Sequence, residues 1–256
     1  MQVGFNRFNI NFKGAISDKD IETLKGATQH LSDCYLMAAI ESLTHSENGR
    51  QVLKNQIERD DDNPNIINCY FYTKNGEKEK YSIPTNKAVE CYEELYNIQE
   101  NEIIRSLDIS VAEYEKKHKS KPWICRLSEI FKKKYKFENN LPSHFMETLT
   151  GVNPRVIAEQ DFNLSLTSYK SEVMELFKQM EKEKNHSFVI GTGQKKFDGR
   201  RWHVYIIQDV DLQNNTITFK EKRKNEPQTM DIDTALKTFK YITGYFNSDL
   251  EQAAKT

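Results

Sequence analysis

RWHVYIIQDVDLQNNTITFKE, residues 201–221, decides the fold class. Its side chains alternate, with His203, Tyr205 and Ile207 on one side and Trp202, Val204 and Ile206 on the other. That period of two is the signature of a β-strand. LQNN, residues 212–215, is a turn, because asparagine tolerates the backbone angles that turns demand. TITFKE then returns as a second strand, so the segment predicts an antiparallel hairpin.

Working outward, the same period marks SFVIGT (187–192), QTMDI (228–232) and KYITGYF (240–246) as further strands. DTALKTF, from Asp233, is one helical interruption. Upstream the period changes. Tyr169, Val173, Leu176, Phe177 and Met180 form one stripe of a helix predicted over about Leu166 to Glu183. LPSHFMETLTG, from Leu141, predicts a short helix stopped by Gly151. WICRLSEIFKKKY, from Trp123, has apolar residues at helical spacing, and residues 88–120 are charged and helical in part.

Nearer the start, NIINCYFYTKNGEKEKYSIPT reads as a second hairpin turning at Asn75–Gly76. Asp60 to Pro64 form a loop. Leu36, Ile40 and Leu43 give a buried helix face beginning at Cys34, and SDKDIETLKGA, from Ser17, opens like a capped helix. The expected fold class is therefore α+β. Residues 1–15 are an irregular arm and 16–256 the core. A helix-rich lobe covers about 16–183 and an antiparallel β-rich lobe about 184–246.

Composition removes several function classes. A net charge of −1 gives no basic field to attract nucleic acid. No apolar run approaches the ~20 residues that span a bilayer. The opening MQVGFNRFNINFKG has no apolar core of a Sec signal. Cys34, Cys69, Cys91 and Cys125 are too far apart for a CxxC site, and the histidines do not join them at zinc-ligand spacing. No metal or cofactor is expected. The thiols read as reduced, which suits the cytosol.

A thiol nucleophile needs a lowered pKa, a base, a group that orients the base, and donors for the oxyanion. Cys34 stands where polar TQHLSD gives way to the apolar CYLMAAIESL. A helix N-terminus there favours the thiolate. His203 is the candidate base, and the hairpin brings residues near 221–225 alongside it, so Glu221 or Asn225 can hold the imidazole. Asp33 reads as a capping residue. His30, His45, His118, His144 and His186 read as surface residues.

QHLSDCYLMAAIESLT resembles the nucleophile motif of calpain-type cysteine proteases, in which a Gln precedes a Gly-Asp-Cys-Trp/Tyr step into an Ala-rich helix. PWICRLSEIFKKKY resembles that family's Trp-centred helix, and METLTG its Leu-Thr-Gly turn. WHVYIIQDVDLQNNTITFKE resembles its Gly-His-Ala-Tyr strand and the return strand that carries its Asn. The four motifs keep their order from about residue 29 to 246. The resemblance implies a papain-like fold with Cys34 as nucleophile, His203 as base, Glu221 on the usual Asn position and Gln29 in the oxyanion hole. It departs from the family in four places. Gln29 stands five residues before Cys34 rather than six, Ser32 and Trp202 replace glycines, and EKRKN replaces Asn-Pro-Trp.

The implied activity is that of a cysteine endopeptidase acting on protein substrates. The same residues serve glutamine deamidation, acyl transfer and removal of ubiquitin-like tags. A catalytically dead binding module is the reading from another class, favoured by the missing Asn-Pro-Trp. RDDDNPN, from Arg59, lacks the spacing of an EF-hand, so no calcium-sensing domain is expected. The compact layout resembles stand-alone calpain-like effectors of bacteria, which would reach a host cytoplasm without a Sec signal.

Overall fold

The alternating side chains of residues 204–207 end in two different cores. The computed structural model describes residues 14–26, 34–86, 101–118, 142–159, 166–193, 197–199, 203–222 and 226–255, apart from the side chains of Cys34, Glu115 and residues 166–168. Most of the expected arm, the Trp-centred helix, Cys91 and Cys125 lie outside the described residues.

The described chain is α+β. Helices α1 (Asp18–Gly26), α2 (Cys34–Thr44) and α3 (Glu47–Gln56) lead into strands β1 (Ile57–Arg59), β2 (Ile66–Tyr72) and β3 (Lys78–Pro84). Helices α4 (Glu102–Lys117) and α5 (Pro142–Thr150) follow, then β4 (Arg155–Ala158) and α6 (Leu166–Lys182). The remaining elements are β5 (His186–Thr192), β6 (Val204–Asp211), β7 (Thr216–Lys220), β8 (Gln228–Asp231), α7 (Ile232–Thr238) and β9 (Phe239–Phe246). The strands form two antiparallel sheets, β1-β2-β3 and β4-β9-β5-β6-β7-β8.

Local chemistry sets several boundaries. The β2–β3 hairpin turns at Gly76, whose φ of 79° suits a residue without Cβ. The Ser46 side chain accepts from the Gly49 amide and caps α3. In the β6–β7 turn Asn215 sits at φ 54°, the left-handed region that asparagine tolerates.

The second sheet is covered on both faces. Leu36, Met37, Ala39, Ile40 and Leu43 of α2 pack with Val189, Val204 and Ile206. On the other face Val173, Leu176, Phe177 and Met180 of α6 pack with Phe188, Ile190, Tyr205 and Ile207. All of β5 is buried as a result, including the polar His186, Ser187 and Thr192 at its two ends. Each large side chain so buried contributes about 1.5–3 kcal/mol. Together they hold α2 rigidly against β5 and β6. Both β4 and α6, which precede residue 183, pack with this C-terminal sheet.

Three elements escape the sequence patterns. α3 carries few apolar residues, and β1 and β4 are too short to show a period. One expectation is corrected. His186 is buried, only 3% exposed, because it opens β5 and packs edge-on against Phe188 and Phe246. His45 is half-buried, whereas His118 is exposed and pairs with Glu79 at 2.9 Å. Among the described residues no helix is long and apolar enough to cross a membrane, and no group of three His, Cys, Asp or Glu is arranged to hold a metal ion.

Candidate active site

Thr192 ends β5 and fixes the backbone of His203. The His203 amide donates to Thr192 Oγ1 at 2.9 Å, and the Thr192 amide donates to the His203 carbonyl at 2.9 Å. A register shift between Gly191 and Thr192 lies at this point of the β5–β9 pairing. Such irregularities re-aim side chains at the end of a strand. His203 therefore stands one residue ahead of β6, its ring edge-on to Tyr205 with centroids 5.1 Å apart.

The return strand supplies a carboxylate. Glu221 follows β7 directly and is fully buried. Its Oε1 lies 3.2 Å from Nε2 of His203, whose side chain is 8% exposed. An ionised carboxylate only accepts hydrogen bonds, so an ionised Glu221 requires Nε2 to carry the proton. That fixes the tautomer of a neutral ring and makes Nδ1 its basic nitrogen.

One contact anchors the C-terminal end of α2 to the sheet. Ser46, just past α2, meets Ser187 at 2.9 Å between hydroxyl oxygens. Ser187 is near the start of β5, and Thr192 with its bonds to His203 is at the end. The step along β5 from Ser187 to Thr192 is about 17 Å, and α2 is about 16 Å long. α2 packs on β5 and β6 over the sheet face that carries Val189, Val204 and Ile206, the face opposite to that of Tyr205 and Ile207. Cys34 is the first residue of α2.

Five of the residues singled out in the sequence are not described in full. The side chain of Cys34, the oxyanion candidate Gln29, the alternative third residue Asn225 and the capping residue Asp33 lie outside the described residues, as does His30. Of the named candidates, the structure brings together His203 and Glu221.

Sequence reasoning missed a second carboxylate at this end of the sheet. Glu41, within the apolar face of α2, is 1% exposed and pairs with both Lys220 and Lys222. A single acid inside CYLMAAIESL was the available signal, because a carboxylate is almost never buried without a partner. Cys69, whose side chain is described, is a core residue whose pKa burial pushes up to about 12. It is a poor thiolate by the same rule that favours a helix N-terminus. No family model matches the chain, and no curated protein matches it.

Proposed function

We propose that this chain is a papain-like cysteine hydrolase, of calpain-like type, that cleaves peptide bonds in protein substrates. The observation that carries the reading is the buried 3.2 Å contact between His203 and Glu221, beside a helix that opens with Cys34 and packs on β5 and β6 of the same sheet. The helix-on-antiparallel-sheet arrangement also supports it.

In the proposed reaction Nδ1 of His203 takes the proton of the Cys34 thiol. The thiolate attacks the peptide carbonyl carbon and forms a C–S bond, and the carbonyl π electrons move onto oxygen. The Cys34 amide and the Gln29 side chain donate to that oxyanion. Collapse breaks the C–N bond, and His203 returns its proton to the leaving amine. Water then attacks the thioester, again losing a proton to His203, and the thiol leaves as the acid forms. Glu221 orients the ring and stabilises the imidazolium formed in each half of the cycle. A working thiolate of this kind calls for a reducing compartment.

A peptidyl epoxide of the type that alkylates papain-like enzymes tests the reading. Intact mass should rise by one inhibitor, and peptide mapping should place it on Cys34. No adduct on Cys34 under conditions that label papain would reject the assignment.

A further inference from the structure

The strongest unexplained feature outside the candidate site is the buried ion cluster on the other side of β7. Residues 220–222 alternate. Glu221 turns to His203, while Lys220 and Lys222 on either side of it both reach Glu41 of α2. Lys220 Nζ lies 3.1 Å from Glu41 Oε1, and Lys222 Nζ bonds to Glu41 Oε2. Lys222 also donates to the carbonyls of Leu24 at 3.2 Å and Lys25 at 2.9 Å, at the C-terminal end of α1. The Glu41 and Lys222 side chains are 1% and 2% exposed.

A buried pair of this kind is a weak source of stability. Well-packed apolar residues of similar volume usually serve as well or better, because both charges lose their hydration. What such a pair supplies is a fixed geometry, since breaking it leaves a charge uncompensated. Here the geometry is that of one strand end against one helix. The helix begins with Cys34, and the strand end carries Glu221. The pKa of His45, just past the end of α2, is held low first by burial, and the charges of Glu41, Lys25, Lys220 and Lys222 also act on it.

We propose that Glu41, through Lys220 and Lys222, is a positioning residue that fixes Glu221, and with it the His203 ring, relative to the nucleophile helix. This rests on the reading of Cys34 and His203 given above. Glu41 acts by holding the two residues that flank Glu221.

The test is the pH dependence of Cys34 alkylation by iodoacetamide in the full chain, with circular dichroism as the check on folding. The variants are His203→Ala, Glu41→Gln, and the double variant Glu41→Leu with Lys222→Met. The double variant removes both buried charges and is the one to use if Glu41→Gln fails to fold. Wild type should react at low pH through a thiolate that His203→Ala abolishes. In the folded Glu41 variants the midpoint should rise by about one pH unit, a tenfold loss of thiolate. A merely structural residue would lower the melting temperature and leave the midpoint in place. Folded Glu41 variants with the wild-type midpoint would overturn this inference and leave the proposed function standing. A His203→Ala profile identical to wild type would overturn the proposed function itself.

Discussion

His203 Nε2 and Glu221 Oε1 meet at 3.2 Å with 8% and none of their side chains open to solvent. A contact shielded in this way is little screened by water or salt. Glu221→Gln keeps an acceptor and removes the charge, so it should lower kcat and raise the pH at which the thiolate forms. Glu221→Ala should lower kcat by roughly 10²-fold. Asn225→Ala should do little. Silent Glu221 variants beside an inactive Asn225→Ala would assign the orienting role to Asn225.

The register of the β6–β7 hairpin bears on the choice between Glu221 and Asn225. Counting symmetrically from the LQNN turn pairs His203 with a residue late in the 221–225 run. The β6–β7 ladder is not symmetric. Asp209 pairs with Thr218 but Ile207 with Phe219, a shift of one residue. No local pattern in VYIIQDVD announces that irregularity, because it arises from how the two strands twist against each other. The strands themselves were legible, since their alternation serves two cores at once. The α6 stripe was legible for a similar reason. β4 was not. It is a four-residue edge strand with exposed Arg155 and Val156, and only its pairing with the distant β9 makes it a strand. The Glu41 cluster was equally hidden, because its partners lie about 180 residues away.

Buried histidines should set the acid limit of stability. Burial holds the His186 pKa down at about 4, and His45 is lowered from 6.5 for the same reason. Both rings are then neutral in the folded chain where the unfolded chain already binds protons. Stability is complete above about pH 6.5 and falls as pH drops from there toward 4. The His186 contribution is on the order of 3 kcal/mol. Urea titrations at pH 7.5 and 5.0 should show the loss, and His186→Gln should flatten it. An unchanged pH slope in that variant would remove His186 from the explanation.

Gly191 should tolerate no side chain. It pairs with Tyr241 across β5 and β9, and a Cβ there would run into the Tyr241 ring. Gly191→Ala should destabilise the fold by about 1–3 kcal/mol as an overpacking change. Adding Tyr241→Ala should remove most of that penalty, because the two residues share one volume. Urea unfolding of the four-member cycle measures the coupling. Additive effects would show that the close approach is not what selects glycine.

The central claim is that Cys34 is a thiol activated by His203. The most direct measurement is the rate of iodoacetamide modification of each cysteine at neutral pH, read by peptide mass spectrometry in wild type and in His203→Ala. Cys34 should react well ahead of Cys91 and Cys125, and Cys69 should stay unmodified while the chain is folded, since burial pushes its pKa up to about 12. His203→Ala should slow Cys34 by an order of magnitude or more. Equal labelling of Cys34, Cys91 and Cys125, unchanged by His203→Ala, would contradict the account.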